Sequence, residues 1–145
     1  MEENILAALE QRRDINKEQK QRELERLVEE FQLKRFLKTK SIKLSGGERR
    51  RVEIARSLSS TPRFILLDEP FAGIDPIAVS ELKKTLKKLK SLKLGILISD
   101  HNVRETMQIC DNVLIMSEGK AIAEGTPKEV SANDLVKEVY LGQDF

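Results

Sequence analysis

Two short apolar runs, separated by an amphipathic segment of helical length, constrain the fold of this chain most. Residues 64–67 and 96–98 form these runs, and each is followed directly by polar residues. Runs of this length are typical of strands buried on both faces of a parallel sheet. Residues 77–92, between them, place four apolar residues on one helical face: Val79, Leu82, Leu86 and Leu89. Strand, helix and strand in this order indicate an α/β fold with right-handed crossovers.

The residues before the first strand have a helical pattern instead. Asn16 and Gln19 predict the capped start of a helix over residues 16–31, and a second helix is expected over 45–58. The elements expected after the second strand are a short helix and the two strands of a hairpin: residues 103–110, 113–116 and 120–123. The predicted units are an α-helical subdomain, an α/β core and a helical tail: residues 1–60, 61–125 and 126–145.

Composition and charge narrow the class of protein. The 145 residues are 39% hydrophobic and 34% charged, as in a soluble globular domain. No apolar run approaches the ~20 residues that span a bilayer, and the single Cys110 is compatible with a reducing cytosol. The net charge of +2 is too small to indicate nucleic-acid binding. The lysines of residues 81–93 lie on the polar side of a predicted helix, where a solvated face explains them.

The stretch LSGGE, residues 44–48, contains the clearest local signal. Ser45 and Glu48 fit a capping box, in which each side chain accepts a hydrogen bond from a backbone N–H at the helix start. The box does not explain Gly46 and Gly47, which lack a Cβ and let another group approach the backbone closely. Because a helix N-terminus attracts anions, a phosphate is the expected ligand.

Polar residues that follow the two predicted strands are the candidates for chemistry. Asp68 and Glu69 follow the first strand and His101 follows the second. Ligands of open α/β sheets bind beyond the carboxyl ends of the strands. Adjacent carboxylates suit a Mg²⁺ ion and a reacting water. Taken singly, each of these residues is explained better by a structural role.

Four segments, in this order, resemble the motifs of ATP-binding cassette (ABC) ATPases. They are similar to the signature, the Walker B strand with its catalytic glutamate, the D-loop and the switch histidine: residues 44–48, 64–70, 72–75 and 99–101. The resemblance covers the chain from about Asn4 to Phe145. It implies the C-terminal part of a nucleotide-binding domain of the P-loop NTPase fold, with an α-helical subdomain.

The resemblance implies an ATP hydrolase that works as a homodimer with ATP and Mg²⁺. The signature residues would meet the γ-phosphate of an ATP held by the opposite subunit: Ser45, Gly46, Gly47 and Glu48. Asp68 would hold Mg²⁺ through water, and Glu69 would polarise the attacking water. His101 would contact the γ-phosphate and that water, and Asp75 would couple the two sites across the interface.

A finer resemblance is to the ATPase subunits of lipopolysaccharide export transporters. It lies in the residues around these motifs and in the last eight residues, EVYLGQDF. It implies a cytoplasmic subunit on the inner-membrane face of a Gram-negative-type bacterium, beneath two integral membrane subunits of the LptF/LptG type. Branched-chain amino-acid importer ATPases, which share a similar tail, are the alternative within the family.

The phosphate-loop half of the P-loop fold has no counterpart in this sequence. No G-x-x-x-x-G-K-[ST] motif occurs, and the only Gly-Lys pair, Gly119-Lys120, precedes Ala121 in a predicted hairpin. We therefore expect a fragment of a full ATPase, one that is marginally stable and leaves strand edges and apolar faces exposed.

Two further classes of protein remain open on the sequence. DNA-associated ABC ATPases share the signature and Walker B motifs, but they interrupt the cassette with coiled coils or zinc modules. Only about 13 residues separate Phe31 from Leu44 here, and Cys110 has no partner for zinc. A non-catalytic interaction module, which would complete or block the site of a full-length partner, is the other class.

We predict that the chain alone hydrolyses no ATP above background, because its sequence lacks the motif that would hold the β- and γ-phosphates. Phosphate release from the purified chain with ATP and Mg²⁺ checks this. Clear turnover that vanishes in the Glu69→Gln variant would contradict the prediction.

Overall fold

The computed structural model describes residues 1–138, which fall into two compact units. The first unit runs from Met1 to Leu97, and the second begins at Ile98. The helices and strands of the first unit are α1 Glu2–Glu10, α2 Lys17–Glu30, α3 Gly46–Leu58, β1 Phe64–Asp68, α4 Pro76–Ser91 and the start of β2 Gly95–Ser99. The mixed α/β class predicted from the sequence is confirmed.

Local capping chemistry starts α2 where the sequence predicted. Asn16 Oδ1 accepts from the Gln19 N–H at 2.9 Å, and Gln19 Oε1 accepts from the Asn16 N–H at 2.8 Å. This reciprocal pair satisfies two N–H groups that a helix start leaves without partners. Helix α1 packs against α2 and α3. The apolar face of α2 is buried at Leu24, Leu27 and Val28, so these helices share one core.

Strands β1 and β2 pair with each other in a two-stranded sheet. The apolar run alone predicted a strand buried on both faces, and that prediction is wrong for this structure. The expectation of an exposed apolar face is confirmed. Ile65 is 4% exposed, but its neighbours Phe64 and Leu66 are 59% and 73% exposed. Successive side chains of a strand point to opposite faces. Only one face of β1 is therefore covered by the described residues, and the Phe64–Leu66 face has no layer packed on it.

Helix α4 connects the two strands and buries one stripe of leucines. Leu82, Leu86 and Leu89 are buried and Val79 is half-buried, as the helical spacing predicted. Pro76 occupies the first helical position, where its missing N–H has no intrahelical partner to lose. Among residues 1–138, no helix combines the length and apolarity needed to cross a membrane.

The second unit is a hairpin with short helices. Its elements are α5 Val103–Met107, β3 Val113–Ser117, β4 Lys120–Gly125, α6 Pro127–Ala132 and α7 Asp134–Val136. The predicted hairpin is confirmed, since β3 and β4 pair antiparallel. Glu118 and Gly119 both have positive φ, 48° and 74°, as a tight two-residue turn requires. The core consists of residues from β3 and three helices, and partly buried residues of β4 pack against it: Met107, Val113, Ile115, Val130 and Val136.

The predicted tail helix is broken where the structure describes it. A capping box of Thr126 and Glu129 starts α6, and Asn133 ends it and caps α7. The hydrogen bonds from Thr126 hold the pKa of the Glu129 carboxyl below its usual value. The rest of the predicted tail, residues 139–145, lies outside the described part of the chain.

Candidate functional site

The N-terminus of α3 has the capping box that the sequence predicted. Ser45 is the N-cap, and its Oγ accepts from the Glu48 N–H at 3.3 Å. Glu48 Oε2 accepts in turn from the Ser45 N–H at 2.9 Å. The box uses the N–H groups of Ser45 and Glu48, and it does not use those of Gly46 and Gly47 between them. The positive end of the helix dipole lies at these two glycines.

Gly46 and Gly47 allow α3 to pack directly on a later segment of the chain, residues 73–78. A Cβ added to Gly46 would lie 2.9 Å from the Gly73 carbonyl oxygen, and one added to Gly47 would lie 2.6 Å from Ala78 Cβ. Real Cβ atoms do not approach other atoms so closely. The sequence predicted a close approach to these glycines, and within this chain the approaching group is segment 73–78. Contact with a phosphate stays a prediction.

Asp75, in the predicted D-loop, caps α4. Its Oδ1 accepts hydrogen bonds from the N–H groups of Ile77 and Ala78, both at 3.0 Å. This carboxylate fixes the start of α4 within the segment on which α3 packs. Its coupling role across a dimer interface stays a prediction.

Asp68 and Glu69 lie where the sequence placed them, at the end of β1 and directly after it. Both are exposed. Glu69 has a φ of 43°, in the left-handed region that non-glycine residues seldom adopt. Arg50 of α3 donates from Nη2 to the Glu69 carbonyl oxygen at 3.1 Å. This contact holds the strained turn, and Phe71, two residues further on, is buried.

Two arginines that the sequence did not single out connect the candidate site to its surroundings. Arg50 also pairs with Glu53 at 2.8 Å, and Arg51 pairs with Glu81 of α4 at 2.6 Å. The three consecutive arginines after LSGGE were the only sequence signal for these contacts. Helical spacing predicts that they lie on a polar face, but it does not identify their partners. Their partners lie 19 and 30 residues further along the chain, at Glu69 and Glu81.

His101 belongs to the second unit. Its ring is 71% exposed, and Nδ1 lies 3.8 Å from Oδ1 of the fully buried Asp100 side chain. The remaining site residues belong to the first unit, where the structure brings together the start of α3, the turn after β1 and segment 73–78. Each unit therefore contains some of the candidate residues.

The donor set at the end of β1 fits a cation that is bound mainly by water and phosphate. Within residues 1–138, no three His, Cys, Asp or Glu side chains form a group that could hold a metal ion. Mg²⁺ usually keeps several waters and takes only one or two carboxylates together with substrate phosphates. The exposed Asp68 side chain can supply the one carboxylate that such a Mg²⁺ site needs.

Comparison with known proteins gives a consistent result. Residues 1–72 match the family model described as ABC transporter, and residues 122–145 match one described as branched-chain amino acid ATP-binding cassette transporter. The chain is 51% identical over 143 residues to the lipopolysaccharide export system ATP-binding protein LptB of Haemophilus influenzae. It is 50% identical over 143 residues to the protein of the same name from Escherichia coli.

The two relatives are longer than this chain. Each alignment covers 99% of this chain and 59% of the relative. A solved structure described as an ATP-binding cassette of an ABC transporter superposes with a TM-score of 0.82 at 29% identity. That superposition covers 97% of this chain and 62% of the other. The described α/β fold is thus similar to that of ABC cassettes over most of the sequence.

The contact between α3 and segment 73–78 predicts the effect of a single methyl group. Gly47→Ala lowers the free energy of unfolding by about 1–3 kcal/mol, because the new Cβ is forced against Ala78. This cost exceeds the ~0.5–1 kcal/mol that alanine gains over glycine inside a helix. Urea unfolding followed by circular dichroism measures the difference.

The matched control for this prediction is the double variant Gly47→Ala/Ala78→Gly. Removal of the opposing methyl group recovers part of the lost stability, so the two substitutions are not additive. A Gly47→Ala variant at least as stable as the parent chain would show that the two segments are not tightly packed.

Proposed function

The chain belongs to the family of ABC transporter ATP-binding proteins, and from this premise we propose that it forms part of a transport ATPase. The observation that carries the proposal is the start of α3. A capping box fixes this helix end, and the two glycine N–H groups lie between the capped positions. A phosphate that approaches meets oriented N–H donors and the positive end of a 13-residue helix.

The transported substrate that we propose is lipopolysaccharide, exported from the inner membrane. Identities of 51% and 50% to two proteins named as lipopolysaccharide export ATP-binding proteins support this choice. The alternative is a branched-chain amino-acid importer. It is favoured by the match of residues 122–145 to the family of branched-chain amino acid ATP-binding cassette transporters. The transported molecule would be selected by membrane subunits, since the nucleotide motifs do not encode it.

The roles that we propose for the site residues follow the two steps of phosphoryl transfer, binding and attack. Ser45 and the two adjacent glycines bind the γ-phosphate of an ATP that is held by the opposite subunit of a homodimer. Glu69 orients the attacking water, and its strained backbone is held by Arg50. Asp68 holds Mg²⁺ through water, and the ion would neutralise charge on the phosphates.

His101 and Asp75 complete the proposed machinery. The exposed His101 ring contacts the γ-phosphate, and Asp75 couples the two composite sites of the dimer. Catalysis of this kind is mainly positioning and electrostatic stabilisation, so fixed side chains and helix ends matter more than reactive groups. We propose that the dimer works on the cytoplasmic face of the inner membrane, with two integral membrane subunits of the LptF/LptG type.

Complementation in trans tests the proposal. A full-length relative, the Escherichia coli protein, is made inactive by replacing its own signature serine with arginine, and the present chain is then added. We expect ATP hydrolysis to return, because the chain supplies the signature residues and the relative supplies the phosphate loop. The rate of phosphate release is measured against the amount of chain added.

Two variants of the chain make this test specific. Ser45→Arg abolishes the recovery, since it removes the signature contact with the relative's ATP. Glu69→Gln leaves the recovery intact, because the attacking water in that composite site is oriented by the relative's own glutamate. Complex formation without any return of hydrolysis would contradict the proposed role of Ser45 and its neighbours.

A further inference from the structure

Asp100 differs sharply from His101, the residue that follows it. Its side chain is fully buried, whereas the His101 side chain is 71% exposed. Acidic side chains are almost never fully buried unless polar groups contact them, because desolvation of a carboxylate is costly. A buried carboxylate beside the only histidine of the sequence therefore requires an explanation.

Hydrogen bonds accepted by the Asp100 side chain and by its neighbours fix the turn that contains His101. Asp100 Oδ1 accepts from the Asn102 N–H at 2.8 Å, so the carboxylate closes a turn around the histidine. The His101 carbonyl oxygen accepts from the Val103 N–H at 3.0 Å. Asn102 Oδ1 accepts in turn from the Glu105 N–H at 3.3 Å and starts α5. The backbone on both sides of His101 is thus held.

The same carboxylate oxygen also lies next to the imidazole ring. The distance between Asp100 Oδ1 and His101 Nδ1 is 3.8 Å, an ion-pair distance and longer than a hydrogen bond. Hydrogen bonds of catalytic groups are often long in unliganded structures and shorten in the complex. A buried negative charge at this distance favours the ring orientation and tautomer that place an N–H at Nδ1.

We propose that Asp100 is a positioning residue for His101. It holds the turn through Asn102 and keeps the Nδ1 edge of the ring toward the carboxylate. Nε2, on the opposite edge, is then the nitrogen presented to a ligand. The identity of that ligand, the γ-phosphate of ATP, rests on the function proposed above. The orientation of the ring does not depend on that function, because it follows from the distances to Asp100.

Nitrogen NMR of the free chain tests the proposal without nucleotide or hydrolysis. The chain contains one histidine, so ¹⁵N-labelled histidine gives the two ring nitrogens of His101 and no others. Long-range ¹H–¹⁵N spectra at alkaline pH, where imidazole rings are neutral, report which nitrogen carries the proton. We expect Nδ1 to be the protonated nitrogen in the parent chain.

Three variants separate positioning from a general effect on the fold. Asp100→Ala removes both the turn contact and the charge, and Asp100→Asn keeps an acceptor for the Asn102 N–H but removes the charge. We expect the proton to move toward Nε2, the tautomer that a free imidazole side chain favours, in both variants. Asp134→Ala is the matched control, because the Asp134 side chain is fully exposed in the same unit.

The protonated ring nitrogen of His101 in these variants shows whether Asp100 positions the ring. A shift of the tautomer in the Asp100 variants but not in Asp134→Ala, with backbone amides beyond residue 107 unchanged, supports it. If Asp100→Ala does not fold, Asp100→Asn alone decides in the same way. Ring nitrogens that match the parent chain in the folded Asp100 variants, or that shift equally in Asp134→Ala, overturn it. Failure of the complementation assay would leave this result standing, so the two proposals fail separately.

Discussion

The close approach of α3 to segment 73–78 is the contact on which the candidate site depends. Two glycines remove the side chains that would otherwise separate these segments. Because they are in contact, the capped start of α3 and the capped start of α4 have a fixed relation within the first unit. Arg50 extends the same arrangement to the turn after β1. Ser45, Glu69 and Asp75 are therefore positioned by one packed region and not by three independent loops.

Local chemistry explains which features the sequence could predict. The capping pairs Asn16–Gln19 and Ser45–Glu48 use residues three apart, and the turn at Glu118–Gly119 needs only two neighbouring residues. Such signals are complete within a short window of sequence. The starts of α2 and α3, the hairpin and the positions of the candidate residues along the chain were therefore predictable, and family resemblance supplied the proposed roles.

Features that depend on distant residues were not predictable in the same way. The apolar run of residues 64–67 by itself predicted two covered faces, but cover comes from other elements, and the described residues cover only the face of Ile65 and Leu67. The glycines of the signature predicted a close approach without identifying segment 73–78 as the group that approaches. The burial of Asp100 left no trace in the sequence at all, since an acidic residue beside a histidine is exposed in most proteins.

The proposed function depends on one contact, in which the start of α3 binds a phosphate presented by another subunit. The most direct measurement is the backbone ¹H–¹⁵N spectrum of the labelled chain with an unlabelled full-length relative, with and without ATP, under conditions that block hydrolysis. We expect the amide signals of Gly46 and Gly47 to move when the relative carries ATP and to stay in place when it is empty. If the relative binds and other amides move while these two do not respond to ATP, the proposed contact does not form.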